Sequence, residues 1–362
     1  MDGNKIVCLV IAIIIFVSDQ AIAKVKGLCS NCHTMHASQS PWPSEWGSKS
    51  QLPKEYLLVT DCIGCHSSNT SSTYYDLGGC KVPVVLYTGA SAPTQYLAGG
   101  NFWWVKEELG GDDAKGHNVF LGEDDSLPEA PGNSVGTCGT NACHINLSEP
   151  YSGSDMVFVL NGKYGCQGCH LNVKHHANDH ANFESGLVDS ADKGWYRFLS
   201  GHGFTGEGVK GYEYKDWEAA PGGTAHNEYI GDATATGYGF TQSGGAGDGV
   251  TAFCTGCHGN FSHGGQGSSS PWKMHPSDAV IPATGEYQYY TTYNPLVPVA
   301  RPSSFDFSSA PSSTVTPGKD MVMCLSCHRP HGSPYPDILR WNYQGWPGSG
   351  TNGCNVCHTE KD

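Results

Sequence analysis

A cysteine is followed directly by a histidine at seven places in this chain of 362 residues. At six of these places a second cysteine precedes the first by three residues, which gives Cys-x-x-Cys-His. At the seventh place the spacing is Cys-x-x-x-x-Cys-His. The seven motifs occupy residues 29–33, 62–66, 138–144, 166–170, 254–258, 324–328 and 354–358. They use 14 of the 16 cysteines, so that only Cys8 and Cys80 stand outside them.

The spacing of these motifs indicates covalent haem. Residues i, i+3 and i+4 share one face of a helical turn, so two thiols can reach the vinyl groups of a porphyrin while the imidazole reaches its iron. Cys-x-x-Cys-His is the attachment signature of c-type haem. Zinc sites do not require a histidine after each cysteine pair, and a disulfide framework would leave the Cys-His pairs unexplained.

We therefore predict seven haem c groups. The predicted thioether cysteines are Cys29, Cys32, Cys62, Cys65, Cys138, Cys143, Cys166, Cys169, Cys254, Cys257, Cys324, Cys327, Cys354 and Cys357. The predicted proximal iron ligands are His33, His66, His144, His170, His258, His328 and His358.

The third motif allows an alternative, because two extra residues must loop out before Cys138 reaches its vinyl group. In that alternative Cys138 forms a disulfide with Cys80, and the haem is held by Cys143 alone. If Cys138 does carry haem, Cys80 is left as an unpaired buried thiol.

The composition predicts an irregular fold. Glycine and proline make up 69 of the 362 residues, about 19% against an average near 12%, and charged residues make up 15% against about 25%. We expect one heptahaem unit over residues 24–362, mostly loop with short helices and few short strands, wrapped around a continuous haem stack. Strand-like patches are Val82–Thr88, Met156–Leu160 and Tyr287–Tyr293.

Residues 1–23 have the pattern of a secretory signal peptide. Lys5 precedes the apolar run Ile6–Val17, and Ala21-Ile22-Ala23 is a small-x-small cleavage site. The run is too short to span a bilayer. We expect cleavage, a secreted chain and no membrane span after cleavage.

Ten further histidines are available as distal ligands, and seven are needed if every iron has two imidazoles. A methionine ligand would raise the reduction potential, but few methionines are well placed, so bis-His ligation is favoured. The predicted distal ligands are His36, His117, His175, His176, His226, His275 and His331, with His202 in reserve. We expect His180 and His263 not to bind iron.

These ligands favour electron transfer over catalysis. A multihaem reductase needs an iron with an open coordination position, often signalled by Cys-x-x-Cys-Lys, which does not occur in the chain. With every iron six-coordinate, substrate has no binding position, so no catalytic residue is predicted. The net charge of −14 disfavours nucleic acid as a partner.

Several short motifs resemble the extracellular cytochrome filaments, or nanowires, of metal-respiring bacteria and some archaea. They are CHTMH at 32–36, GHN at 116–118, HNEY at 226–229, HP at 275–276 and CHRPHG at 327–332. The resemblance implies an irregular fold around stacked haems, in which His36 completes a haem of the adjacent subunit. The seven motifs and the Cys-x-x-x-x-Cys-His site depart from the family pattern.

A filament is also the expectation from the positions of the motifs, since haems that reach both ends of the mature chain suit head-to-tail continuation. A heterologous contact that does not close gives a filament. Such a polymer would pass electrons between redox partner cytochromes and extracellular acceptors. The alternatives are a monomeric carrier in the periplasm or at the outer membrane and, less favoured, a multihaem reductase.

Overall fold

The computed structural model describes sixteen stretches of the chain. They are residues 33, 62–70, 72–77, 80–120, 130–131, 147, 165–170, 186–190, 193–199, 208–214, 218, 221–233, 249–258, 261, 275–345 and 352–360. The predicted signal peptide and the strand-like patch Met156–Leu160 lie outside them.

All α-helices in the described residues are short, and each carries cysteines of a Cys-x-x-Cys-His motif. They are α1 (Cys62–His66), α2 (Val250–Thr255), α3 (Cys324–Cys327) and α4 (Cys354–Cys357). Helices of four to six residues do not form on their own, because nucleation is costly. Their conformation therefore depends on what surrounds them.

Single 3-10 turns make up most of the remaining helical structure. They are Phe102–Trp104, Glu107–Leu109, Asp113–Lys115, Gly165–Gly168, Tyr196–Phe198, Gly285–Tyr289, Phe307–Ser309, Pro336–Ile338 and Tyr343–Gly345.

The strands are equally short. They are β1 (Ser67–Ser68), β2 (Tyr74–Leu77), β3 (Cys80–Pro83), β4 (Leu86–Tyr87), β5 (Leu187–Val188), β6 (Gly211–Tyr212), β7 (Glu228–Ile230), β8 (Ala279–Val280), β9 (Ala300–Arg301) and β10 (Met321–Val322). Strands β1 and β4 pair in parallel, and β2 and β3 form an antiparallel hairpin. The other six form one sheet in the order β5-β6-β7-β9-β10-β8.

A buried ionic network fastens the centre of this sheet. The guanidinium of Arg301 in β9 lies 2.9 Å from Glu228 Oε2 in β7 and 2.6 Å from Asp320 Oδ2, the residue before β10. All three residues are at most 2% exposed. Strands β7, β9 and β10 are only two or three residues long, so few backbone hydrogen bonds join them. The ionic network adds side-chain bonds between the same strands.

The apolar core of the described residues is divided into three small clusters. One lies under the six-stranded sheet around Val209, Tyr229 and Met321. A second surrounds Phe102, and a third contains Tyr290.

The predicted irregular fold is confirmed, but the strand-like patches are only partly right. Strands β3 and β4 overlap Val82–Thr88. The strand prediction for Tyr287–Tyr293 is wrong, because Gly285–Tyr289 forms a 3-10 helix. Tyr287 in this helix, and Tyr290 and Tyr293 beyond its end, belong to one apolar cluster. Their spacing of three residues is not the alternation of a strand.

No helix in the described stretches combines the length and the apolar character that crossing a membrane requires.

Candidate haem-binding sites

Five motifs are described completely, and each forms one tight turn. Four lie on α1 to α4, and the fifth is on the 3-10 helix Gly165–Gly168. In four of the five, the histidine N–H donates to the carbonyl oxygen of the first cysteine of its motif. These N···O distances are 2.8 Å at His170, 3.0 Å at His258, 3.1 Å at His328 and 2.8 Å at His358. Both cysteines and the histidine are thus held on one turn, as the sequence predicts.

The ring orientation of each of these five histidines is fixed by a second contact through Nδ1. The partners are Pro83 O for His66 (2.9 Å), Arg197 O for His170 (2.7 Å), Pro131 O for His258 (2.8 Å), Asp337 O for His328 (2.8 Å) and Glu286 Oε1 for His358 (3.1 Å). A carbonyl or carboxylate oxygen accepts, so Nδ1 must donate. Nε2 then carries the free lone pair that an iron ligand needs.

Three motif histidines lie opposite a histidine from outside the motifs. The ring centroids of His258 and His117 are 6.0 Å apart. Those of His170 and His331 are also 6.0 Å apart, and those of His358 and His275 are 6.3 Å apart. Each motif histidine thus faces one of the histidines that the sequence nominates as distal ligands.

These separations fit an iron between two imidazoles. Two metal–imidazole bonds of about 2 Å each, added to the half-widths of two rings, separate ring centroids by about 6 Å. Among the distal candidates, His117 and His275 also direct Nδ1 to a carbonyl, Pro330 O at 2.9 Å and Pro276 O at 3.0 Å. The donor set therefore suits haem iron at all three places.

Burial keeps several of these imidazoles neutral. It lowers the pKa of His331 to about 3, with smaller contributions from neighbouring histidines. Burial likewise lowers the pKa of His258 to about 4, helped by His117 and His328. A histidine must be neutral to bind a metal, so these groups are ready to ligate at pH 7.

Comparison with known proteins agrees with this chemistry. Residues 316–362 match the family model described as "Doubled CXXCH motif". The chain is 26% identical to the C-type cytochrome OmcS of Geobacter sulfurreducens over 361 residues, which span 87% of this chain and 78% of OmcS.

The chain is thus similar to OmcS over most of its length.

Two solved structures of OmcS were also matched. One is titled as cryo-EM of the OmcS nanowires, with 19% identity and a TM-score of 0.47. The other is titled as the Outer Membrane Cytochrome S Filament, with 18% identity and a TM-score of 0.45. Each match covers 89% of this chain and 85% of the other.

Consecutive attachment sites of the OmcS-like chain are neighbours in space. The Cys324 N–H donates to Thr251 Oγ1 in α2 at 3.4 Å. The thiols of Cys254 and Cys324 are close enough to perturb each other, which raises the pKa of Cys254 and lowers that of Cys324. Burial raises the pKa of Cys327 to about 12, with a contribution from nearby Cys354. The fifth, sixth and seventh motifs therefore lie next to one another in the fold.

His331 is positioned by contacts that its own motif does not supply. Its backbone N–H donates to Gly99 O at 2.8 Å, and its ring stacks on Phe102 with centroids 4.8 Å apart. Gly332 has a φ of +118°, a backbone conformation that favours glycine. Sequence reasoning missed the roles of Gly99 and Phe102, because nothing in their local pattern links them to a histidine more than 200 residues later.

His226 differs from the other candidate ligands. Its Nδ1 lies 2.8 Å from Gly222 O, and its Nε2 lies 3.2 Å from Glu228 Oε1. The side chain is fully buried and stacks on Tyr293 with centroids 3.5 Å apart. Both ring nitrogens are engaged, so iron ligation would require Nε2 to leave Glu228. Among the described residues, no motif histidine faces His226.

The remaining predicted site residues lie outside the described stretches. They are Cys29, Cys32, Cys138, Cys143 and His144 among the attachment residues, and His36, His175, His176 and His202 among the distal candidates. Of the first motif only His33 is described, and it is half-buried. Cys80 begins β3.

Proposed function

We propose that this OmcS-like cytochrome transfers electrons through seven haem c groups, each with two histidine ligands. The observation that carries the proposal is the set of opposed imidazoles, His117 with His258, His331 with His170, and His275 with His358. An iron bound on both faces has no position for substrate. Electron transfer without bond chemistry is then the function that remains, and we propose no catalytic role.

The spacing of the attachment sites supports conduction along the molecule. His66 lies near enough to His170 to lower its pKa further, after burial. His117, the partner of His258, likewise contributes to the lowered pKa of His328, after burial. Sites this close allow an electron to pass from one haem to the next without a long gap.

For the remaining distal position we propose His202 in place of His226. His226 has no free ring nitrogen and no exposed surface against which a porphyrin could lie. His36, His175 and His176 keep their proposed ligand roles. The seven proposed distal ligands are therefore His36, His117, His175, His176, His202, His275 and His331.

We further propose that the chain is secreted and polymerises head to tail, with His36 binding a haem of the adjacent subunit. OmcS is described as forming nanowires and filaments, and the sequence relationship to OmcS extends over 87% of this chain. Redox partner cytochromes and extracellular electron acceptors would be the partners of such a polymer. Residues 24–362 would then act as one heptahaem unit, after removal of residues 1–23.

Four measurements on the secreted protein test these proposals. Intact mass should give seven haems per chain, and electron microscopy should show filaments. The ferric absorption spectrum should be entirely low-spin, and carbon monoxide should not bind after reduction. Seven haems together with a Cys80–Cys138 disulfide, found by peptide mapping, would favour the alternative in which Cys143 alone holds the third haem. A high-spin fraction would favour the reductase.

The role of His36 has its own test. His36→Ala should abolish filaments and leave seven haems per chain, whereas the matched variant His263→Ala should still polymerise. Filaments formed by His36→Ala would rule out the inter-subunit ligand. Wild-type protein that stays monomeric would instead favour the periplasmic or outer-membrane carrier.

A further inference from the structure

The four arginines of the chain fall into two classes. Arg197 and Arg301 are paired with carboxylates: Arg197 Nη1 lies 3.2 Å from Glu213 Oε2, and Arg301 binds Glu228 and Asp320. Arg329 and Arg340 form no ion pair with any described residue. A buried arginine without an anion is unusual, because removing its charge from water is costly.

Arg329 and Arg340 donate only to backbone carbonyls in the described part of the chain. Arg329 Nη1 lies 2.7 Å from Ala98 O and 3.3 Å from Leu97 O. Arg340 donates through Nε to Leu325 O at 2.7 Å and through Nη1 to Pro295 O at 3.3 Å. Its Nη2 approaches Ala98 O at 3.4 Å. The two guanidinium groups therefore share one acceptor and lie side by side.

Neither arginine is on the open surface. Arg340 is 6% exposed, and Arg329 is half-buried with its centre 5.0 Å above the ring of Tyr96. Arg329 Nε is buried and has no hydrogen-bond partner among the residues that the structure describes. Two adjacent positive charges and an unused donor leave a place for an anionic acceptor.

The backbone attaches both arginines to the sixth motif. Arg329 directly follows His328, and its N–H donates to Ile338 O at 2.8 Å. Arg340 N–H donates to Cys327 O, also at 2.8 Å. These two hydrogen bonds lie on either side of the β-bridge between His328 and Leu339. Any haem attached at Cys324 and Cys327 is therefore bound next to both arginines.

Glu218, an acid close to this pair, does not neutralise it. Glu218 is buried, and its Oε1 accepts the backbone N–H of Asn227. It is near enough to Arg340 to be stabilised electrostatically, but it forms no ion pair with either arginine. A haem, by contrast, brings two propionate carboxylates, the groups that guanidinium binds best.

We propose that Arg329 and Arg340 together bind a propionate carboxylate of haem c. This inference rests on haem attachment at Cys324 and Cys327, and it is independent of filament formation and of the distal ligands. The contact would orient the porphyrin about its thioether bonds. It would also raise the reduction potential, since a fixed positive charge favours the ferrous state.

Redox-difference infrared spectroscopy of the holoprotein tests the proposal directly. Cells supplied with δ-aminolevulinic acid that carries carbon-13 at its carboxyl carbon place the label in the haem propionates and not in protein carboxylates. Arg340→Gln and Arg329→Gln should each shift a label-sensitive carboxylate band and move one reductive transition to a more negative potential. Lys319→Gln removes an exposed positive charge and is the matched control.

Each outcome decides the question. A shift confined to label-insensitive bands would mean that a protein carboxylate holds the arginines, and unchanged carboxylate bands would mean an inorganic anion or none. Either result overturns the proposal, as does an equal change of potential in Lys319→Gln. If the glutamine variants fail to load seven haems by intact mass, Arg340→Lys and Arg329→Lys keep the charge. The lysine variants must show the label-sensitive shift, because lysine cannot bind a carboxylate in the bidentate manner.

Discussion

His331 faces His170, with ring centroids 6.0 Å apart, although His328 is only three residues away in the sequence. The turn Cys327–Gly332 thus contributes to two sites, through His328 on one side and His331 on the other. Its Pro330 carbonyl also accepts from His117 Nδ1 at 2.9 Å. This turn therefore connects the ligands of three motifs.

Replacement of His331 should open one iron and only one. In His331→Ala we expect seven covalent haems, about one seventh of the iron converted to high-spin, and stoichiometric carbon monoxide binding after reduction. The reason is that no other described histidine faces His170. Absorption and electron paramagnetic resonance spectra measure the high-spin fraction. His180→Ala serves as control, and a fully low-spin His331→Ala would contradict the assignment.

Gly332→Ala should loosen the same ligand without removing it. A Cβ at this position would lie 2.8 Å from Asn101 O, and the φ of +118° is strained for alanine. We expect a stability loss of about 1–3 kcal/mol and a partial high-spin signal. Gly110 also has a positive φ, +80°, but open space around its Cβ position. Gly110→Ala should therefore lose stability without a change of spin state.

Removal of Arg301 should destabilise the six-stranded sheet strongly. Arg301→Met leaves Glu228 and Asp320 buried without their cation, and breaking a buried pair in this way costs about 3–5 kcal/mol. Chemical denaturation of the haem-loaded protein measures the loss. Lys319→Met, at an exposed position, should change the free energy of unfolding by less than about 0.5 kcal/mol. A similarly small effect of Arg301→Met would show that the network contributes little.

Glu228 should make stability depend on pH in the acid range. Burial raises its pKa, but hydrogen bonds from His226 and the charge of Arg301 outweigh this effect, so the pKa lies below the ordinary value of 4.5. A carboxylate with a lowered pKa stabilises the fold above its unfolded-state pKa and loses that contribution as the pH falls. Denaturation midpoints of wild type and Glu228→Gln should therefore converge below about pH 4.5. Parallel curves down to pH 3 would refute this.

The local structure of the attachment sites could be predicted from the sequence, but the pairing of ligands could not. Spacing within Cys-x-x-Cys-His fixes which atoms share a turn, because the relevant residues are at most four apart. By contrast, His117 and His258 are brought together by the folding of 140 intervening residues. No periodic pattern in the sequence predicts that these two histidines are in contact.

The six-stranded sheet could not be predicted from the sequence either. Its strands are two or three residues long, too short for the alternation that identifies a strand. The buried partners of Arg301 lie 73 and 19 residues away. The tyrosines of residues 287–293 suggested a strand by composition alone, although their spacing of three residues does not fit the alternation of a strand.

The carbonyl oxygens that orient two ligand histidines come from later segments of the chain: Pro330 serves His117, and Arg197 serves His170. A growing chain therefore cannot finish one cofactor site and then move to the next, since the earlier site waits for backbone that has not yet folded. Maturation should be close to all-or-none, and a protein missing one porphyrin would lose the alignment of several others.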